Sequence, residues 1–127
     1  MVDRVYLYNQ DKYVGILTHD TVMNTYLFKQ EEFGDLEDRT VEYLSLNSRS
    51  QAIEVAIQER VAPRDRININ ELLPLVGLDH YDMWEIFKRI NGICYKDTVW
   101  VSESKEDPSW FFENHAIGRF MKTGKYN

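Results

Sequence analysis

The chain opens with two strand-like runs on either side of a polar turn: Arg4-Val5-Tyr6-Leu7-Tyr8, then Asn9-Gln10-Asp11-Lys12, then Tyr13-Val14-Gly15-Ile16-Leu17-Thr18. Both runs are rich in β-branched and aromatic residues, which favour strands, and the residues between them favour a turn. The pattern therefore predicts an antiparallel hairpin. Residues 22–30 have a similar composition and predict a third strand, and Val41 to Leu46 predicts a further extended segment.

Helical signals begin after residue 49. Ser50 is a candidate N-cap for a helix over residues 51–60, and Pro63 disfavours its continuation. A second helix is expected from Asn68 or Ile69 to Val76, short or kinked at Pro74 and ended by Gly77.

A third helix is expected from about Asp82 to Ile90, with Trp84, Phe87 and Ile90 on one face and Asn91-Gly92 as its end. The segment Thr98-Val99-Trp100-Val101 predicts the last clear strand, and a short helical turn follows through Trp110, Phe111 and Phe112. Trp84, Trp100 and Trp110 are interpreted most simply as core residues that join these three elements.

These elements together predict an α+β fold. It consists of an N-terminal antiparallel β-meander, a three-helix central segment and a C-terminal strand that returns to the sheet. The 127 residues fit a single domain, with an acidic, β-rich half over 1–48 and a mainly helical half over 49–127.

Composition excludes several classes of protein. The chain is 43% hydrophobic and 28% charged, which excludes fibrous and generically disordered proteins. It has no apolar run that would cross a membrane, and no signal peptide is expected at Met1-Val2-Asp3-Arg4. The single cysteine, Cys94, cannot form an internal disulfide and fits a reducing cytoplasm.

The negative charge is concentrated in the first half. The net charge is −6, and residues 1–48 hold nine acidic and four basic residues, a balance of −5. Because no segment has the basic footprint of a nucleic-acid binder, direct nucleic-acid binding is not expected. The densest acidic stretch contains Glu31, Glu32, Asp35, Glu37 and Asp38. It is either a solvated segment or a surface for a basic partner that imitates nucleic acid.

Motifs for catalysis are missing from the sequence. It has no glycine-rich phosphate loop, no Gly-x-Ser-x-Gly and no His-Glu-x-x-His. Cys94 and the histidines at 19, 80 and 115 are too far apart in sequence for typical zinc spacing. We therefore expect no enzyme activity, no metal and no cofactor.

One basic cluster is a candidate binding site. Arg60, Arg64 and Arg66 flank Pro63 and could grip a phosphate or a carboxylate. The alternative is a set of local ion pairs with nearby acidic residues, namely Glu59, Asp65 and Glu71.

The middle and end of the chain resemble the N-terminal accessory module of HipA-like proteins, which are serine/threonine kinase toxins. The resembling residues are Glu59-Arg60, Pro63-Arg64, Arg66, Ile69, Leu72-Leu73, Gly77-Leu78, Trp84-Glu85-Ile86-Phe87, Asp97-Thr98, Trp100-Val101 and Trp110, with Val5 to Asn9 and Val14 to Leu17 as an opening hairpin. The family's kinase domain follows this module, and its catalytic Asp, metal-binding Asp and nucleotide-binding Lys have no counterparts in this chain. The resemblance therefore implies a free-standing accessory module.

Two functions are expected from these features. The first is a non-catalytic regulator that binds and restrains a partner protein such as a toxin kinase. The alternative is a phage-encoded, anti-CRISPR-like inhibitor of a nucleic-acid-guided defence nuclease, acting through its acidic surface.

Overall fold

The computed structural model of the protein describes residues 1–31, 49–94, 97–105, 107, 109–115, 118, 119 and 121. Within these residues, four antiparallel strands form one sheet in the order β3-β2-β1-β4. The strands are β1 (Val2–Asn9), β2 (Lys12–Asp20), β3 (Thr25–Gln30) and β4 (Val99–Ser102). The helices are α1 (Ser50–Gln58), α2 (Ile69–Leu72), a 3-10 helix (Leu73–Val76), α3 (Met83–Arg89) and α4 (Trp110–Asn114). The predicted α+β fold, with its meander and returning strand, is confirmed.

The N-terminal hairpin has the predicted position with longer strands. Val5 pairs with Leu17, and the register shifts by one residue near the turn, because Leu7 pairs with Gly15 whereas Tyr8 pairs with Tyr13. At this irregularity β3 lies very close to β2. A Cβ atom on Gly15 would lie 2.2 Å from the backbone oxygen of Lys29, so the pairing requires glycine there.

The third strand is shorter than predicted. Residues 21–24 form a turn, in which the Asp20 carboxylate accepts hydrogen bonds from the N–H groups of Val22 and Met23 at 3.0 and 3.1 Å. The strand prediction for residues 22–24 was therefore wrong, because the local aspartate turn outweighs their β-forming composition. The extended segment predicted from Val41 to Leu46 lies outside the described residues.

Helix α1 begins at the predicted place by a different means. Ser50 is the first helical residue, and the preceding residue, Arg49, makes no side-chain cap. The Ser50 hydroxyl instead accepts a hydrogen bond from the Tyr26 N–H at 2.8 Å. The predicted cap was wrong because a tertiary contact with β3 occupies this side chain.

The 3-10 helix and α3 end at the residues that their sequence signals predicted. Pro74 lies where α2 changes into the 3-10 helix, and Gly77, with φ of 77°, ends it in the left-handed conformation. Asp82 caps α3 by accepting a hydrogen bond from the Glu85 N–H at 3.2 Å. Asn91 and Gly92 follow α3 with positive φ angles.

Each face of the sheet has its own apolar cluster. Between one face of the sheet and the helices α1 and α3 lie residues such as Val5, Leu17, Ile53, Trp84, Phe87 and Val101. The second cluster contains Tyr8, Trp100 and Phe111, with Trp110 packed against it. Trp100 stacks on Tyr8 and Trp110 at 4.2 and 4.4 Å between ring centroids. Trp84 therefore lies in one cluster, and Trp100 and Trp110 lie in the other. Trp100 and its neighbour Val101 belong to different clusters because adjacent residues of a strand point to opposite faces of the sheet.

Candidate functional site

A surface cleft of about 630 Å³ lies beside the β2–β3 turn, the α1 helix and the start of α3. Its walls combine aromatic and charged side chains, including His19, Tyr26, Glu54, Arg64, Tyr81 and Trp84. We call it the His19 cleft. Its volume is typical of a ligand-binding cleft.

His19 forms part of an aromatic stack at this cleft. It lies on the same face of β2 as Leu17, and its ring stacks on Tyr26 with 4.3 Å between centroids and 9° between planes. Trp84 contacts the same ring in a tilted arrangement at 5.1 Å. The side chain is therefore buried, with 7% of His19 exposed.

The two ring nitrogens of His19 differ in their contacts. Nε2 lies 3.0 Å from the Asn24 side-chain oxygen and donates its hydrogen to it. Nδ1 is buried and has no hydrogen-bond partner among the described residues, and in a neutral imidazole it would be the lone-pair acceptor. A buried acceptor in this state costs about 1–3 kcal/mol.

An ion cluster behind the cleft holds Trp84 in place. The Trp84 indole N–H donates to the Asp3 carboxylate at 2.8 Å, and the Lys88 ammonium donates to the same oxygen at 2.6 Å. Burial acts to raise the pKa of Asp3, but the bonds from Lys88 and Trp84 outweigh it and lower this pKa below its ordinary value. Lys88 also pairs with Glu85 and Glu103 at 3.1 and 3.4 Å.

Two carboxylates place negative charge near Tyr26. Burial, with the charges of Glu54 and Asp82 adding to it, raises the pKa of Tyr26 to about 12. The phenol is therefore protonated at neutral pH. The carboxylates of Glu54 and Asp82 therefore lie close to the aromatic wall of the cleft.

Arg64 and Tyr81 form the other wall. The Arg64 guanidinium lies over the Tyr81 ring at 4.9 Å from its centroid, and the Tyr81 hydroxyl donates to the Ala62 carbonyl at 2.7 Å. This is a cation–π contact at an exposed arginine.

The structure does not bring the three predicted arginines together. Arg60 lies inside the protein, where its guanidinium makes a bidentate pair with Asp97 at 2.5 and 2.8 Å and donates to the Gly92 and Val99 carbonyls. The Arg60 and Asp97 side chains are 8% and 12% exposed. Arg66 is exposed and donates to the Asn68 side chain at 2.9 Å. Of the three arginines, only Arg64 lines the cleft.

The described structure includes one residue of the predicted acidic site. Glu31 is exposed just after β3, and its carboxylate accepts a hydrogen bond from the Tyr13 hydroxyl. Glu32, Asp35, Glu37 and Asp38 lie outside the described residues.

The remaining histidines have separate environments. His80 is exposed beside Asp79, whose hydrogen bond raises the pKa of this imidazole. His115 is buried against Phe111, and burial lowers its pKa. Among the described residues, no group of three His, Cys, Asp or Glu side chains is arranged to hold a metal ion, and no helix is long and apolar enough to cross a membrane.

The His19 cleft was not anticipated from the sequence. Its signal was the two-residue alternation in each strand, which places His19 on the same face as Leu17 and Tyr26 on the same face as Phe28. A histidine on an apolar strand face, followed after a turn by an aromatic partner, indicates a buried stack. The contact between His19 and Trp84 depends on the tertiary fold.

Comparison with protein-family models, curated proteins and solved structures gave no match to this chain.

Proposed function

We propose that this protein is a non-catalytic regulator that binds a partner protein and restrains it. The expected partner is a toxin kinase of the kind implied by the HipA-like resemblance, and the location would be cytoplasmic. The observation that carries the proposal is the His19 cleft, where the exposed Arg64 lies over the half-buried Tyr81, beside the buried rings of Tyr26 and Trp84. Tryptophan, tyrosine and arginine are enriched among the few residues that supply most of the binding energy at protein interfaces.

The titratable groups of the cleft support binding rather than catalysis. Asp82 caps α3, and the Tyr26 phenol stays protonated at neutral pH. His19 is fixed by the Tyr26 stack and by its bond to Asn24. Rigid walls of this kind favour binding because little side-chain freedom is lost when a partner docks.

The test is capture from a bacterial lysate by the tagged protein, at low and at high salt, with the retained proteins identified by mass spectrometry. The kinase recovered would then be purified and its autophosphorylation measured with and without this protein. A variant with Arg64→Ala and Glu54→Gln alters the cleft at partly or fully exposed positions. Glu113→Gln, at an exposed position on α4, is the matched control.

The proposal expects a HipA-like kinase to be retained at both salt concentrations and inhibited by the wild type. The cleft variant should lose both effects, and the Glu113→Gln variant should keep them. Retention of no kinase, or a retained kinase that stays fully active in the complex, would overturn the proposal.

A second candidate is the anti-CRISPR-like inhibitor, and the charge distribution favours it. The acidic excess of residues 1–48 would compete with nucleic acid for the basic groove of a guided nuclease. The test neutralises Glu32, Asp35, Glu37 and Asp38 together, and Glu31 separately because it also binds Tyr13. Nuclease binding that weakens steeply with salt and with these changes supports this function. Salt-insensitive binding contradicts it.

A further inference from the structure

One face of the sheet is exposed over much of its first three strands. In β1, β2 and β3 every second side chain points away from α1 and α3, and α4 covers one end of this face, where Phe111 packs with Tyr8 and Trp100. Val2 and Leu27 lie on the rest of the face and are 65% and 57% exposed although both are apolar. We call this region the open face, and its three cross-strand rows are Val2, Asp20 and Thr25, then Arg4, Thr18 and Leu27, then Tyr6, Ile16 and Lys29.

Three cations lie on or beside the open face. The Arg4 guanidinium lies over the Tyr6 ring, 5.9 Å from its centroid, and the Tyr6 and Tyr13 rings are 6.3 Å apart. The Lys105 ammonium lies over the Tyr13 ring at 4.6 Å, and Lys29 is in the same row as Tyr6. Within the described part of the chain, none of these three cations forms an ion pair.

The carboxylates on this side of the sheet are already hydrogen-bonded. Asp20 accepts from the N–H groups of Val22 and Met23, and Glu31 accepts from the Tyr13 hydroxyl. The open face therefore combines cations that are available for pairing with exposed apolar surface. Such a surface is complementary to an anionic ligand that also has apolar groups.

The contacts of the open face discriminate between anionic partners. Single-stranded nucleic acid stacks its bases on aromatic rings, but Arg4 and Lys105 already lie over Tyr6 and Tyr13. Anionic membranes attract clusters of roughly four to eight basic residues, whereas this chain has a net charge of −6. A second copy related by a two-fold axis would place the same cations against one another. An acidic protein segment avoids all three conflicts.

We infer that the open face docks an acidic segment of the partner protein that also carries apolar side chains, an inference that rests on the proposed function. Carboxylates of this segment would pair with Arg4 and Lys29, and its apolar side chains would cover Val2 and Leu27. The open face and the His19 cleft lie on opposite sides of the sheet, because Tyr26 and Leu27 are adjacent in β3. The two surfaces can therefore be tested separately.

The test uses synthetic peptides, so that it does not depend on capture of the partner. A capped peptide of sequence Asp-Leu-Glu-Glu-Leu-Asp is titrated into the full chain at low salt and followed by amide NMR shifts. Its amide version, Asn-Leu-Gln-Gln-Leu-Asn, keeps the shape without the charge, and Asp-Ser-Glu-Glu-Ser-Asp keeps the charge without the apolar groups. We expect the acidic leucine peptide to bind at least about fivefold more tightly than its amide version. The serine peptide should also bind more weakly, and the shifts should centre on the open face.

Variants at exposed positions identify the contacts. Arg4→Gln together with Lys29→Gln should weaken binding of the acidic leucine peptide by about fivefold, and each single change should weaken it less. Leu27→Thr keeps a β-forming residue but removes the apolar side chain, so it should also weaken binding. Arg66→Gln removes a positive charge at an exposed position outside the sheet and is the matched control, which should leave binding nearly unchanged.

Several results would overturn the inference. These are equal binding of the acidic leucine peptide and its amide version, unchanged binding by the Arg4→Gln and Lys29→Gln double variant, and shifts centred on the His19 cleft. Oligothymidylate or phosphatidylserine vesicles that bind the open face when the peptide does not would identify a different ligand. A dimer in sedimentation that Leu27→Thr dissociates would identify a second copy as the occupant.

These outcomes separate this inference from the proposed function. If a kinase is captured and inhibited but the acidic leucine peptide does not bind, the inference fails and the proposed function stands. If the peptide binds as expected but no kinase is captured, the proposed function fails and the open face stands as a site for acidic segments.

Discussion

The Tyr26 N–H donates a hydrogen bond to the Ser50 hydroxyl over 2.8 Å, and this contact attaches the start of α1 to the outer strand of the described sheet. Tyr26 is also the residue on which His19 stacks. The position of the His19 cleft is therefore coupled to the position of the first helix.

Replacement of this hydroxyl should loosen the edge of the sheet. Ser50→Ala leaves the Tyr26 N–H without its partner, and we expect a loss of about 1 kcal/mol in the free energy of unfolding. Urea unfolding measures this loss, and amide hydrogen exchange at Tyr26 locates it. Ser50→Thr keeps the hydroxyl and should retain protection. Unchanged exchange at Tyr26 in the alanine variant would contradict the prediction.

Loss of the Arg60–Asp97 pair should be far more costly. Arg60→Ala leaves the nearly buried Asp97 carboxylate without this partner and frees two carbonyls, so we expect a loss of about 3–5 kcal/mol in the free energy of unfolding. Thermal or urea unfolding measures it. Arg66→Ala, at an exposed position, is the control and should change stability by less than about 0.5 kcal/mol. Similar stabilities for the two variants would refute a structural role for Arg60.

The Asp3 cluster should make part of the stability depend on pH. Because the pKa of Asp3 is lowered in the folded protein, its contribution is present above the ordinary value of 3.8 and is lost as the pH falls through the folded pKa. Asp3→Asn should therefore reduce stability at pH 7 by about 1–3 kcal/mol, and the difference from wild type should shrink in acid.

Urea unfolding at pH 7 and at several values below 3.8 measures this difference. Asp11→Asn, in the exposed β1–β2 turn, is the matched control and should show little effect at any pH. A difference between wild type and Asp3→Asn that is constant across pH would contradict the linkage.

Substitution of Gly15 should disturb the packing of β2 against β3. Gly15→Ala places a Cβ 2.2 Å from the Lys29 backbone oxygen, so the strands must separate, at a cost of about 1–3 kcal/mol. Unfolding by urea measures the cost. The obstacle is backbone, so adding Lys29→Ala should not restore stability. Rescue by that second change would place the clash in the Lys29 side chain instead.

Local signals predicted two of the elements that depend on local interactions and missed a third. The hairpin from Arg4 to Thr18 and the Asn91-Gly92 helix end follow from residue types within a few positions. The turn at 21–24 was missed because a single carboxylate, Asp20, organises it within a β-forming sequence. In each case the deciding interaction is local.

Interactions between distant residues could not be predicted. Arg60 binds Asp97, which is 37 positions away in sequence, and Trp84 donates a hydrogen bond to Asp3, which is 81 positions away. Neither pairing follows from spacing, so Arg60 was assigned to a surface cluster and the His19 cleft was missed. The same limit applies to Ser50. It was predicted to be a helix cap, but its hydroxyl accepts a hydrogen bond from Tyr26, which lies 24 positions earlier in β3.

Strand β1 lies between β2 and β4, so its two neighbours leave the ribosome at very different times. Strand β2 follows β1 at once in the sequence. Strand β4 comes much later, and its Trp100 donates a hydrogen bond to the carbonyl of Gln10, which is 90 positions earlier. A nascent chain therefore carries an apolar strand with one unsatisfied edge until residues 99–102 arrive, and such an edge is a template for pairing with other chains. We expect folding yield during synthesis to depend on how rapidly this late strand closes the sheet.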